Sequence, residues 1–133
     1  MIKRYEVKEI VDIWSQENKL STWKKVESSV TKSLEEEGIV PKGLSEKILD
    51  ANVTVKEVEA REKVTNHDLA SFVDILQDKV NEDSEWIHYG LTSSDVVDTS
   101  NSLLILESLD FLIGKVDELI STLKNLAIKE KDT

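Results

Sequence analysis

The sequence predicts an all-α fold, and three observations carry that prediction. One proline and four glycines in 133 residues leave few interruptions, so long helices are the economical arrangement. Apolar residues recur at spacings of three and four, the period of a helix face. Towards the C-terminus an aliphatic heptad runs without a break, as in helices that pack against other helices. The expected organisation is a helical region over residues 1–93 followed by a long helix over 94–133 that begins a helical bundle.

The elements follow in order. Val7 to Trp14 is a short amphipathic piece carrying Ile10, Val11, Ile13 and Trp14. Ser15 offers the cap for a second helix running to about Glu37, with Gly38 as its stop. Leu20, Trp23, Val26, Val30 and Leu34 form its core-facing stripe,. Trp14, Trp23 and Trp86 are expected as core anchors. After the turn Gly38-Ile-Val-Pro41-Lys-Gly43 a short helix spans Ser45 to Asp50. Thr54-Val-Lys-Glu57 reads as a capping box opening a helix toward Val64,. Thr65-Asn-His-Asp68 reads as a second capping start, and Leu69, Phe72, Val73, Leu76 and Val80 form the apolar face that follows. Two starts eleven residues apart imply a break near Val64 to Asn66, which exposes His67 at a helix N-terminus where backbone N–H groups lack partners.

The last helix, from about Asp95 to Lys129, is ~50 Å long at 1.5 Å per residue. Ile105, Leu109, Leu112, Val116, Leu119, Leu123 and Leu126 make its seam, flanked by Leu106, Ile113, Ile120 and Ala127; only Gly114 weakens it. Fully burying the seam would contribute on the order of 10–20 kcal/mol, comparable with the net stability of a domain. Partners for it are expected from other copies of the chain or from sequence beyond Thr133.

Composition narrows the function classes. Hydrophobic residues at 39% and charged residues at 33% describe a globular chain with a core to bury,. A net charge of −10 disfavours nucleic acid, whose phosphates select a basic surface,. The absence of cysteine removes disulfides, thiolate zinc sites and thiol nucleophiles, and a reducing, cytoplasmic setting is the simplest expectation. The longest aliphatic run, Leu103 to Leu106, is far short of the ~20 residues of a membrane span, and the N-terminus lacks a signal-peptide core. Neither export nor membrane insertion is expected, so the sequon Asn52-Val53-Thr54 carries no weight. Phosphate-loop, dinucleotide, zincin and serine-hydrolase motifs are missing.

Two stretches hold chemistry. His88-Tyr-Gly-Leu-Thr-Ser-Ser-Asp-Val-Val-Asp-Thr99 sets Gly90 and the hydroxyls of Thr92, Ser93 and Ser94 at the start of the long helix. Free N–H groups and hydroxyls there suit a carboxylate or phosphate, although one hydroxyl can equally serve as a plain cap. His67 and His88, the only histidines, fall at helix boundaries, and imidazole is a side chain suited to proton transfer,. Twenty-one residues apart and with no close acidic partner in sequence, they form no metal spacing, and no metal site is expected. Arg4-Tyr5 couples a guanidinium with a phenol, a fair phosphate-binding pair.

Met1-Ile-Lys-Arg4-Tyr5, Ile13-Trp14-Ser15-Gln-Glu17-Asn-Lys19, Thr65-Asn-His67-Asp68 with Phe72-Val73, and His88-Tyr-Gly90-Leu-Thr92-Ser93-Ser94-Asp95-Val-Val-Asp98-Thr99 stand in one order along the chain. In this the sequence resembles the N-terminal part of the adenylosuccinate lyase family, within the fumarase and aspartase superfamily. The last motif belongs to the superfamily; Arg4-Tyr5 and Thr-x-His-Asp narrow it to the purine enzyme.

The resemblance implies an elimination that releases fumarate from adenylosuccinate, giving AMP, and from the succinyl-carboxamide ribotide of purine biosynthesis, with no cofactor. It implies that Arg4 and Tyr5 hold the nucleotide phosphate and that Asn66, His67 and Asp68 contact substrate. His67 positions or polarises groups near the leaving nitrogen, and Asn66 acts through its backbone. Thr92 and Ser93, with Ser94 beside them, bind a succinyl carboxylate, and His88 lies near the phosphate. The family's Thr-His general acid and its serine base, on a later mobile loop, are absent from residues 1–133. The chain is therefore expected to be an inactive piece of a helical homotetramer whose sites are built from several subunits. The alternatives are a non-catalytic helical oligomerisation module and another lyase of the superfamily.

Overall fold

Capping groups and left-handed residues set the helix boundaries. In the computed structural model, which describes residues 2–132, six α-helices follow one another and no strand occurs among the described residues. They are α1 (Lys8–Ile13), α2 (Gln16–Glu36), α3 (Leu44–Asp50), α4 (Val55–Thr65), α5 (Asp68–Val80) and α6 (Ser93–Lys129), with short 3-10 turns at Lys3–Tyr5 and Ser84–Trp86. Ser15 caps α2, its Oγ accepting the Asn18 N–H at 3.1 Å. Gly38 lies past the helix end with φ +70°, the left-handed conformation that stops a helix,. The Thr54 box is complete: Thr54 N–H donates to Glu57 Oε2 at 3.0 Å, and Glu57 N–H to Thr54 Oγ1 at 3.4 Å.

The break between α4 and α5 falls where expected, with Asn66 left-handed at φ +54°, but its chemistry differs. Thr65 is the last residue of α4 and the cap of α5 is His67, whose Nδ1 accepts the Ala70 N–H at 3.2 Å. The imidazole replaces the hydroxyl because Thr65 Oγ1 is taken up 2.6 Å from Ser71 Oγ. Helix α6 opens two residues earlier than expected, the Thr92 N–H donating to the Asp95 carboxylate at 2.8 Å.

The core forms around α2 and α5. Trp23 meets Phe72 edge-on at 5.5 Å between ring centroids, surrounded by Leu20, Val26, Leu44, Ile48, Leu69, Leu76, Ile87 and Val96. On α5, Leu69, Phe72, Val73 and Leu76 are buried as the pattern required, while Val80 is half-buried. The stripe of α2 turns polar halfway along. Val30 and Leu34 are half-buried, whereas Glu27, Ser28, Thr31 and Glu35 are buried. Helix α3 supplies the reason, because its cap is Gly43, which has no side chain to offer. Glu35 reaches across instead, accepting the Ser45 N–H at 2.7 Å and its hydroxyl at 3.1 Å, and Ser28 Oγ donates to the Ser45 carbonyl at 2.9 Å. Burial raises the Glu35 carboxyl, but the Ser45 and Gly43 donors and Lys32 outweigh it and hold the group below its ordinary value,.

Of the three tryptophans, Trp23 is buried in the core and Trp86 packs partly buried against it, whereas Trp14 does not join it. Trp86 is half-buried against Tyr89, and Trp14 is 48% exposed, its indole N–H donating to Ser108 Oγ of α6 at 2.9 Å. A short α1 gives Trp14 no second layer, so its ring lies along α6 at the surface.

Helix α6 has 37 residues, ~55 Å at 1.5 Å each,. Its first turns are held by the core through Val96, Ser100 and Leu104. Beyond Leu104 every seam residue from Ile105 to Leu126 is exposed, between 46% and 57%. The seam therefore finds no partner within the described residues.

Candidate functional site

Two helix starts converge. Ser93, the first residue of α6, places its Oγ 3.3 Å from Nε2 of His67, the cap of α5, although 26 residues separate them in sequence. The cap fixes the ring's chemistry. Because Nδ1 accepts the Ala70 N–H, it carries no hydrogen, so the neutral imidazole is the Nε2–H tautomer. Nε2–H then donates to the Ser93 hydroxyl, leaving the hydroxyl hydrogen available. The pair, half open to solvent, is a set of fixed donors beside two positive helix ends.

Asp68 is held just inside α5. Its Oδ1 accepts the Leu69 N–H at 2.8 Å, and its Oδ2 lies 3.3 Å from Lys19 Nζ, which itself sits 4.3 Å above the Trp23 ring. Burial raises this carboxyl, yet the Leu69 N–H and Lys19 outweigh it and keep it below the ordinary range. Asp68 is therefore an anion at neutral pH, and Lys19 is the cation that orients it. A cleft of about 210 Å³ lies here, lined by Lys19, Trp23, Glu59, Glu62 and Asp68. It is smaller than the ~300–1,000 Å³ of ligand pockets, and neither His67 nor Ser93 lines it.

His88 has the acidic partner that its sequence neighbourhood lacked. Its Nδ1 lies 2.6 Å from Oε1 of Glu27, which comes from α2, 61 residues earlier, and is fully buried. The signal was present: Glu27 stands four residues after Trp23, on the buried arc of α2, where an unpaired carboxylate is costly.

The other candidates are not gathered. Arg4 and Tyr5 share the N-terminal 3-10 turn, the guanidinium 4.8 Å from the ring centroid. No hydrogen bond or ion pair among the described residues joins either to His67, His88 or Ser93. Asn66 is exposed, its amide donating to the Val64 carbonyl at 3.4 Å. Thr92 is committed to Asp95 through its backbone, and Ser94 is exposed. A hollow of about 650 Å³ lies elsewhere, lined by Glu9, Asp12, Glu17, Glu107 and Phe111. It contains none of the candidate residues, and its acidity suits no anionic ligand.

The chain falls in the class of lyases, since the family model described as lyase matches residues 3–133. The crystal structure of a fumarate lyase from Mesorhizobium sp. BNC1 has the same fold, with a TM-score of 0.76 at 16% identity, covering 83% of this chain and 27% of that one. The adenylosuccinate lyase of Aquifex aeolicus is 39% identical over 137 residues, and that of Thermotoga maritima 40% over 134. The adenylosuccinate lyase of Bacillus subtilis is 33% identical over 135 residues. The chain belongs to the adenylosuccinate lyase family and corresponds to the N-terminal part of the full-length enzyme. It is matched over its whole length and spans about 31% of the length of these relatives.

Proposed function

We propose that this chain is the N-terminal part of an enzyme that eliminates fumarate from adenylosuccinate, giving AMP, and from the succinyl-carboxamide ribotide of purine biosynthesis. The observation that carries the reading is the 3.3 Å approach of His67 Nε2 and Ser93 Oγ at the starts of α5 and α6. In the elimination a base takes the proton beside a carboxylate, the electrons form the new double bond, and the carbon–nitrogen pair leaves with nitrogen, which is then protonated. Charge grows on the carboxylate oxygens as the proton departs. Donors already fixed at a helix start stabilise it without rearranging. Ser93 and Thr92 take that carboxylate, and Nε2–H of His67 lies beside the leaving nitrogen.

Asp68 and the backbone of Asn66 line the substrate next to His67. Arg4 and Tyr5 contribute to the phosphate contact, with His88 close to it. Among the described residues Arg4 and Tyr5 make no hydrogen bond or ion pair with the donor pair, which fits sites completed between subunits. The seam of α6 supports the same reading, with residues 94–133 as the first helix of a central bundle in a homotetramer and residues 1–93 carrying part of the site. The net charge of −10 weighs against a nucleic-acid partner. Among the described residues no helix is long and apolar enough to cross a membrane, and a cytoplasmic location agrees with a purine-biosynthetic role. The reaction is redox-neutral and the reading assigns it no cofactor and no metal.

The test is Ser93→Ala in the full-length enzyme. A donor facing developing charge is worth about 10²–10³ in rate, so kcat/KM is expected to fall by that factor with kcat taking part of the loss. Thr92, not Ser93, occupies the cap position of α6, so thermal stability should hold. Wild-type turnover with a lowered melting temperature would refute the assignment. The chain by itself is expected to release no fumarate, since the general acid and serine base of the reading lie outside it; measurable turnover would overturn this division of labour.

A further inference from the structure

Among the described residues Glu27 is the one fully buried carboxylate, and the elimination does not use it. It stands on α2 with no exposed surface, and its Oε2 has no hydrogen-bond partner among the described residues. Its Oε1 lies 2.6 Å from Nδ1 of His88, which among the described residues is the titratable group acting on it. The His88 backbone is left-handed at φ +66°, unusual for a residue with a side chain,. Its ring keeps 22% of its surface exposed, and Nε2 has no partner within the described residues.

We propose that Glu27 is a positioning residue for His88: it shares one proton with Nδ1 and thereby keeps Nε2 a hydrogen-bond donor toward an anionic group of the substrate. The inference deepens the reading above and rests on His88 being a substrate contact. Three arrangements of the pair are available. With the proton on Glu27, the carboxyl donates to Nδ1 and the ring carries its hydrogen on Nε2. With the proton on Nδ1, the ring is an imidazolium and Nε2 again carries hydrogen. Only an ionised Glu27 beside a neutral ring protonated at Nδ1 leaves Nε2 bare. That state buries a net charge with Oε2 unpaired, which desolvation opposes.

Burial indeed pushes the Glu27 carboxyl up, beyond what the ring and backbone N–H of His88 restore. When an anion reaches Nε2, the shared proton moves along the 2.6 Å bond from Glu27 to Nδ1. The ring becomes cationic without taking a proton from water, and the pair is ion-paired on both sides. Because the anion is not the reacting centre, the gain is uniform binding, felt in KM more than in kcat.

The experiment compares Glu27→Gln, His88→Gln and the double variant in the full-length enzyme, with adenylosuccinate as substrate. The amide introduced by Glu27→Gln keeps the shape of the carboxyl but has no acidic proton to give and no charge to match an imidazolium. KM is expected to rise about ten- to hundredfold in His88→Gln, the range for losing a hydrogen bond to a charged group, and about tenfold in Glu27→Gln, whose amide can still donate to Nδ1 and leave hydrogen on Nε2 but cannot make the ring cationic, with kcat retained in both. The double variant should be no worse than His88→Gln. Should His88→Gln raise KM while Glu27→Gln leaves it unchanged, the proposal is overturned and the reading of His88 stands. An unchanged KM in His88→Gln overturns both. A further loss from Glu27→Gln in the His88→Gln background overturns the proposal, since Glu27 would then act on the fold and not through the ring. If Glu27→Gln fails to fold, neutron diffraction from the unsubstituted enzyme decides: hydrogen on Nε2 of His88 is expected, and a bare Nε2 overturns the proposal.

Discussion

Replacing Leu112 and Leu119 by Asp should dissolve an assembly that the unsubstituted chain forms through α6. The seven seam residues keep 46–57% of their surface in the helix, because each lies partly against its own helix. Covering the exposed half of each is worth about half of 1.5–3 kcal/mol, so one seam contributes roughly 5–10 kcal/mol. That halves the amount the sequence pattern suggests. Two seams facing each other supply roughly 10–20 kcal/mol, against an association cost of about 4–15 kcal/mol; the midpoints leave about 5–6 kcal/mol, enough for assembly at roughly 0.1 mM. Each Asp removes about 0.75–1.5 kcal/mol per chain, hence about 3–6 kcal/mol for two sites on both of two helices, a weakening of roughly 10²–10⁴. Both positions lie beyond Leu104, the last residue of α6 buried in the core, so the fold of α2 to α5 should be untouched. Multi-angle light scattering from micromolar to millimolar concentration reads the result. A strictly monomeric unsubstituted chain across that range, or a doubly substituted chain that assembles equally well, would refute the reasoning.

Two further perturbations test the scaffold. The Glu57 carboxyl is lowered to about 2 from its ordinary 4.5, first by Lys79 and then by the Thr54 side chain and N–H; a depressed folded pKa gives stability that is present above 4.5 and lost as pH falls toward 2. Glu57→Gln should therefore flatten the melting-temperature profile over that window, and an unaltered slope would sink the assignment. Trp23→Ala, which empties the site against Phe72, should cost about 3–5 kcal/mol in urea unfolding; a loss of only about 0.5 kcal/mol, the size of a surface effect, would show that the ring does not hold α2 to α5.

What the sequence revealed depended on how far apart the interacting groups lie. The Thr54–Glu57 box and the Ser15 cap are bonds between residues three apart, so they can be read from the string. The apolar face of α5 is a repeat at fixed spacing and was equally legible. Glu35 capping α3 was not, because its partner Ser45 sits across a turn on another helix, and nothing in the α2 pattern distinguishes that carboxylate from its exposed neighbours. Trp14 carries the same ring as Trp23, and only the arrangement of α1 against α6 decides that one is buried and the other is not. The convergence of His67 with Ser93 entered through resemblance to a family, since a separation of 26 positions leaves no local trace of it. The Glu27–His88 pair had a weak signal, an acid on a buried arc, with no means of naming its partner.

The bond from Trp14 to Ser108 joins the first helix to the last across 94 residues. During synthesis at about 5–20 residues per second, α1 therefore waits roughly 5–20 s before its partner exists. The α2–α3 and α4–α5 pairs close over short loops and can settle in that interval, but the indole of Trp14 stays without its acceptor. The residues of α1 thus leave the ribosome well before this contact can form, and any chaperone engaged in that interval meets the Trp14 indole without its acceptor.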